Sequence, residues 1–184
     1  MMVEPADTRF MLFDTPIGAC ALVWRAHGFV AVFLPEASAG ATRARVRRRF
    51  AGADEVAPPP DVQLVVARIV ALLSGQPDDL QGIALDMAAI PPFNQRVYEI
   101  ARGIRPGSTL TYGEVAQRLG EPQAARAVGQ ALGANPFPII VPCHRVLGAH
   151  GQSGGFSAPG GTRTKLRLLE IERAPLGGSP GLFD

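Results

Sequence analysis

The stretch TYGEVAQRLGEPQAARAVGQALGANPFPIIVPCHRV, residues 111–146, decides how the second half of the chain folds. Thr111, followed three residues later by Glu114, fits a capping box. The threonine hydroxyl can accept the Glu114 amide proton while the carboxylate reaches back to the Thr111 amide. A short helix is predicted from there to Leu119, ended by Gly120-Glu121. Pro122 suits the opening of a second helix, where its missing N–H costs nothing, and that helix should run to Leu132 before Gly133 and Asn135-Pro136 stop it. Two short helices joined by a glycine-containing turn make a helix-turn-helix.

On the second of these helices Ala124, Val128, Ala131 and Leu132 form the side expected to be buried, leaving Arg126, Gly129, Gln130 and Gly133 opposite. A glycine within a helix costs about 1 kcal/mol relative to alanine. Gly129 therefore points either to a closely packed neighbouring helix or to something external that must approach the backbone, with Arg126 projecting beside it. The surface is too bare to read base edges in a major groove and suits a shape-reading, minor-groove approach.

Downstream, Pro138-Ile139-Ile140-Val141 reads as an apolar strand that delivers Cys143 between Pro142 and the basic pair His144-Arg145. Thiolate chemistry needs a lowered pKa, which a nearby imidazole or guanidinium supplies, whereas a free cysteine is ordinarily a small core hydrophobe. On the local residues alone both readings of Cys143 stand equally. Cys20, in an alternating strand, reads as core. The three histidines, His27, His144 and His150, and two cysteines show no Cys-x-x-Cys or paired-His spacing. A structural zinc site wants about four converging ligands, so no metal is expected. The glycine-rich run Gly148–Gly161 lacks the ending of a phosphate-binding loop and reads as a loop near Cys143, with Phe156 able to cover a flat ligand. A closing helix is predicted from Thr162 to Arg173, carrying Leu166, Leu168, Leu169 and Glu172.

Working toward the N-terminus, Pro106-Gly107 closes an amphipathic helix with Phe93, Val97, Ile100, Ala101 and Ile104 on one face. Pro91-Pro92 marks a domain boundary. Before it, Arg9–Asp14, Ala19–Arg25 and Phe29–Leu34 read as a three-stranded antiparallel meander punctuated by Thr15-Pro16-Ile17-Gly18 and His27-Gly28. A helix near 41–51 follows, in which Arg43, Arg45, Arg47, Arg48 and Arg49 read as a solvated face with Val46 and Phe50 inward. Pro58-Pro59-Pro60 precedes a second helix over 61–74, and Ile83-Ala84-Leu85 reads as a short strand. The expected fold class is an α/β (α+β) N-terminal domain over 1–90, a mainly α C-terminal domain over 91–173 and a flexible tail over 174–184.

The chain has 184 residues, 47% hydrophobic and 18% charged, enough for one sizeable core or two small ones and too apolar for a largely disordered protein. Two cysteines exclude a disulfide scaffold. No apolar run reaches the roughly 18 residues that span a bilayer, and Met1–Pro5 lacks the basic-then-apolar order of a secretory leader. A cytoplasmic protein without membrane contact is expected. The formal net charge of +2 is unevenly spread. Residues 1–95 carry 8 Arg against 10 Asp and Glu, a net of −2, whereas 96–173 carry 9 Arg and Lys165 against 5 Glu, a net of +5. A basic C-terminal half is compatible with contact to phosphates.

The run Asn135-Pro136, Pro138, Pro142-Cys143-His144-Arg145-Val146 closely resembles the active-site motif of the O6-alkylguanine-DNA alkyltransferases, also called methylated-DNA–protein-cysteine methyltransferases. The likeness extends upstream through Thr111-Tyr112-Gly113-Glu114 and Ala124-Ala125-Arg126-Ala127-Val128-Gly129, and downstream to the Leu168-Leu169-x-x-Glu172 helix. Thr15-Pro16-Ile17-Gly18 is similar to the family's N-terminal domain. The resemblance implies single-turnover repair in which O6-alkylguanine in double-stranded DNA is bound from the minor groove, flipped out and dealkylated, with O4-alkylthymine left open as a second lesion. It implies Cys143 as alkyl acceptor, His144 as the base that deprotonates it through a water, Glu172 as the residue orienting His144, and Tyr112 as proton donor toward guanine N3. Arg126 would fill the gap in the base stack, with Ala125, Gly129 and Thr111 at the DNA. Asn135 would tie the recognition helix to the active-site turn, and Pro138, Val146, Phe156 and Ser157 would line the pocket. No cofactor and a monomer are implied.

The loop Gly154–Gly161 departs from the family pattern by carrying Ala158-Pro159 as an insertion, which unsettles the roles of Ser157 and Ala158. Three other readings are weaker. A non-catalytic lesion-binding relative replaces the acceptor cysteine, which is present here. A helix-turn-helix regulator would want base-reading side chains. A cysteine hydrolase would need an oxyanion hole that no stretch of the sequence supplies.

Overall fold

Strand β1 (Arg9–Thr15) turns into β2 (Gly18–Arg25), which turns again into β3 (Gly28–Phe33), so the expected meander forms. The computed structural model describes residues 7–152 and 155–175. Gly18 sits at φ +123°, and a Cβ there would stand 2.9 Å from Pro35 Cβ, so the first turn admits only glycine without rearrangement. Because side chains alternate along a strand, the sheet has two apolar faces. Phe10, Ala21, Val23, Ala31 and Phe33 pack on Val46 of helix α1 (Ala39–Arg49). Phe13, Cys20, Leu22, Trp24 and Val32 face the larger core, which includes Val62, Val65, Ile69 and Leu72 of α2 (Pro60–Leu73). A fourth strand, β4 (Asp54–Glu55), pairs in parallel with β1. Its two exposed residues gave no periodic signal. The strand expected at Ile83–Leu85 is reduced to a single bridge between Leu85 and Phe29.

Helix α3 (Pro92–Arg102) starts with proline in its first turn and buries Val97, Tyr98 and Ala101. The Tyr98 hydroxyl donates to the Ala131 carbonyl at 2.7 Å, pinning α3 to the second of two short helices, α4 (Tyr112–Arg118) and α5 (Ala125–Gly133). The small strand β5 (Leu110–Thr111) precedes α4 and pairs in parallel with β6 (Val146–Leu147), and α6 (Thr162–Ile171) closes the described chain. The result is a mixed α/β protein with a mainly antiparallel sheet and six α-helices among the described residues. One continuous core runs through both halves, joining Leu22 and Ile69 to Val97, Phe137, Ile140 and Leu168.

Three further expectations are corrected. Pro122 does not open α5. It lies within a turn closed by Ala124 N–H donating to the Glu121 carbonyl at 2.9 Å, a position its fixed φ also suits. Residues 138–142 are not a strand, because Pro138 and Pro142 cannot donate to a ladder and Ile139 adopts φ +76°. They form a tight turn bridged between Pro138 and Val141. Ala174 is not the start of a loose tail: it is buried against Leu147 and Leu169 and donates to the Leu169 carbonyl at 2.9 Å. Residues 176–184 of the expected tail lie outside the described residues. No helix among the described residues is long and apolar enough to cross a membrane.

Candidate active site

The site begins where α5 ends. Asn135 Nδ2 donates to the Val141 carbonyl at 2.9 Å, while its Oδ1 accepts the Phe137 amide at 2.9 Å. One side chain thus locks the exit of α5 to the turn that delivers Cys143. Residues Cys143–Arg145 then form one 3-10 turn, closed by Arg145 N–H donating to the Pro142 carbonyl at 2.9 Å. Successive side chains on such a turn point about 120° apart, so three adjacent residues reach different surroundings.

His144 and Arg145 turn inward to Glu172, the C-terminal cap of α6. His144 Nε2 lies 2.8 Å from Glu172 Oε1, Arg145 Nε donates to Oε2 at 2.9 Å and Arg145 Nη2 to Oε1 at 2.7 Å. Arg145 Nη1 also donates to the Ile104 carbonyl at 2.6 Å. All three side chains are at least 97% buried. Burial alone would raise the Glu172 carboxyl, but hydrogen bonds from His144 and Arg145 outweigh it and bring the group down to about 2. Burial lowers the His144 imidazole, against the pull of Glu172, so the ring rests neutral. Its Nε2 faces a carboxylate and therefore carries the proton. Nδ1 keeps its lone pair and has no hydrogen-bond partner within the protein among the described residues. A neutral base fixed by a charged partner is the pattern that activates a nucleophile.

Cys143 is 8% exposed. Burial raises its thiol, opposed by a hydrogen bond with Asn135, the charge of Lys165 and the nearby amides of Cys143 and His144. Sequence reasoning does not single out Lys165 as a site residue. It is 1% exposed, its Nζ donates to the Val146 carbonyl at 2.8 Å, and it lies 5.8 Å from the centre of the Tyr112 ring. Burial draws this ammonium down to about 8, against the attraction of Cys143. Its only signal in the sequence is that it is the sole lysine. Tyr112, half-buried at the start of α4, is raised by burial and by Cys143. The capping box holds that helix start: Glu114 N–H donates to Thr111 Oγ1 at 3.1 Å and Thr111 N–H to Glu114 Oε2 at 2.7 Å.

Two cavities reach Cys143. The larger, about 570 Å³, is walled by Tyr112, Ala125, Arg126, Gly129, Cys143 and Phe156. A Cβ on Gly129 would meet only the Tyr112 ring, at an ordinary 3.8 Å, so internal packing does not demand the glycine. The helix backbone is left open toward the cavity and solvent. The smaller, about 250 Å³, lies against Asn135, Pro138, Phe156 and Ser157 and extends to Arg45 and Arg49 of α1. Ser157 Oγ donates to the Gly133 carbonyl at 2.8 Å. Of the expected lining residues Val146 is displaced: it is fully buried in β6 and walls neither cavity, contributing its carbonyl to Lys165 instead. Cys20 is fully buried in the larger core and lines neither cavity, with its thiol raised by burial to about 12. Among the described residues no three His, Cys, Asp or Glu side chains converge as a metal site would require.

Comparison with known proteins gives a consistent neighbourhood. Residues 92–174 match the family signature described as 6-O-methylguanine DNA methyltransferase, DNA binding domain. A methylated-DNA–protein-cysteine methyltransferase of Mycobacterium leprae is 44% identical over 119 residues, spanning 65% of this chain and 70% of its own. A protein of the same name from Methanothermobacter thermautotrophicus is 34% identical over 163 residues, spanning 89% of this chain and 84% of its own. The crystal structure of Mycobacterium tuberculosis OGT in complex with DNA superposes with a TM-score of 0.71 at 34% identity, covering 91% of this chain and 95% of that one.

Proposed function

Because this chain belongs to the methylated-DNA–protein-cysteine methyltransferase family, we propose that it repairs O6-alkylguanine in duplex DNA by moving the alkyl group onto Cys143 in one irreversible turnover. The chain is a DNA alkyltransferase, and the observation that carries the assignment to Cys143 is its neighbourhood. It stands at the wall of a cavity of base-accommodating size, next in sequence to a buried histidine held 2.8 Å from the Glu172 carboxylate.

In this reading α4, the turn at Glu121–Ala124 and α5 act as a helix-turn-helix, with the bare face of α5 in the minor groove. Backbone approach at Gly129 and Ala125 brings Arg126 into the base stack, and the target nucleotide rotates out into the larger cavity. Flipping costs a few kcal/mol, less for a damaged pair. His144 Nδ1 takes the Cys143 proton through one water. The thiolate sulfur then bonds to the alkyl carbon as the carbon–O6 bond breaks. The bonding pair stays with the guanine, which takes up a proton at N3 delivered from Tyr112. Lys165 supports the transient thiolate by its charge. The product thioether has no ready leaving group, so no second turnover follows and no dissociable cofactor is needed.

We divide the chain functionally into residues 1–90 as a supporting α/β domain and 91–173 as the DNA-binding and acceptor domain, acting as a monomer. A free acceptor thiol is kept reduced in the cytoplasm, where we place the protein. The test is Cys143→Ser: this variant should still bind an O6-methylguanine duplex in a mobility-shift assay yet leave the lesion intact by nucleoside analysis. Removal of the methyl group by Cys143→Ser would overturn the assignment.

A further inference from the structure

The two cavities share Leu132, Gly133, Cys143, Phe156 and Ser157, so the acceptor thiol stands where one opens beside the other. A base in the larger cavity presents its O6-bound carbon to sulfur in line. Displacement at carbon then leaves any further atoms of the substituent projecting sideways from the O–C–S axis. They need room flanking the sulfur, and the smaller cavity of about 250 Å³ supplies it.

That room is not neutral. Its walls include Arg45 and Arg49 and, among the described residues, no Asp or Glu. Arg45 reaches Glu36 at 3.3 Å, whereas Arg49 has no carboxylate partner among the described residues. Both lie over the Phe33 ring, 5.6 and 5.9 Å from its centre, and Phe33 is itself part of the wall. Burial and the neighbouring Arg45 charge draw Arg49 down, the behaviour of a cation short of an anion.

We propose that the smaller cavity is the subsite for the O6 substituent, and that Arg45 and Arg49 adapt it to substituents bearing a negative charge, O6-carboxymethylguanine being the simplest. This rests on the alkyl-transfer reading above and names its substrate class. A carboxylate next to the reacting carbon repels an incoming thiolate, and two guanidinium groups offset that repulsion. In the step itself sulfur bonds to the methylene carbon, the carbon–O6 bond breaks, its electron pair remains on the guanine, and S-carboxymethylcysteine is left on the protein. The cysteine proton leaves through His144, and the guanine regains one proton.

The experiment compares single-turnover rates of the unaltered protein and the R45Q/R49Q double variant on three duplexes, carrying O6-methylguanine, O6-carboxymethylguanine or the neutral O6-(2-hydroxyethyl)guanine. The double variant should slow carboxymethyl transfer by about tenfold or more, equivalent to about 1.4 kcal/mol in the barrier, and leave the two neutral groups unchanged. Methyl transfer thereby also reports that the variant is folded. Equal slowing on all three duplexes, no slowing on any, or refusal of the carboxymethyl group by the unaltered protein would overturn the subsite. Failure of the unaltered protein to transfer even methyl would overturn the alkyl-transfer reading, and this inference with it.

Discussion

Glu172 accepts from both His144 and Arg145, and the two partners do different things. Arg145 binds in the bidentate, charge-assisted manner that keeps a buried carboxylate ionised. With the carboxyl near 2, the proposed mechanism leaves the proton from Cys143 on the imidazole and does not pass it on to Glu172. Glu172→Gln should slow methyl transfer by roughly 10²–10⁴-fold in single-turnover assays, the usual range for a disabled acid–base pair. It also strands the Arg145 guanidinium, 2% exposed, which costs about 3–5 kcal/mol in thermal or denaturant unfolding. Since the folded pKa lies below the ordinary 4.5, the stabilisation from Glu172 is full above 4.5 and lost as pH falls toward about 2. Glu172→Gln should flatten the stability profile across that window, and an unchanged acid limb would contradict the pairing. Cys143, His144 and Glu172 were legible as a set only through the resemblance to the alkyltransferase motif, since the local residues left Cys143 undecided. Lys165 was not, because a lysine on an amphipathic helix reads as solvent-facing. Its burial comes from tertiary contact with the Val146 carbonyl and the Tyr112 ring.

At the scale of elements, the start of α4 was readable from four residues, since a capping box is a local hydrogen-bond pattern. The start of α5 was not, because Pro122 is equally at home in the turn that precedes the helix. Strands β5 and β6 are two residues each and show no alternation, so only their pairing reveals them. Gly129 is where helix stability can be tested apart from the proposed DNA contact. Gly129→Ala fits at 3.8 Å from Tyr112 and should hold or raise stability, by up to about 1 kcal/mol. Its affinity for duplex DNA should nevertheless fall in a titration at fixed salt. Lowered stability with DNA affinity intact would assign the glycine to internal packing. Arg126→Ala should impair repair of duplex lesions far more than transfer from free O6-benzylguanine, which needs no flipping. Equal losses on both substrates would remove Arg126 from the base stack.

For the whole molecule, the near-neutral total conceals a slightly acidic first half and a basic second half, and the basic half carries both the proposed acceptor and the proposed DNA face. The Pro91-Pro92 boundary read from sequence marks a change in chemistry more than a break in packing, because one apolar core spans both sides. Periodicity shows which face of a helix is buried but not which partner buries it. Trp24, the only tryptophan, lies in the first half. Its fluorescence and the far-ultraviolet circular dichroism of the whole chain should therefore lose signal at one common denaturant midpoint. Separate midpoints would mean independently folding domains. The central claim, that Cys143 itself receives the lesion's alkyl group once per molecule, is tested most directly by mass spectrometry of the protein and its peptides after incubation with excess O6-methylguanine duplex under reducing conditions. One added methyl group per chain, located on the Cys143 peptide and never followed by a second, is the predicted result. An unmodified mass, or a methyl group found on any other residue, would contradict it.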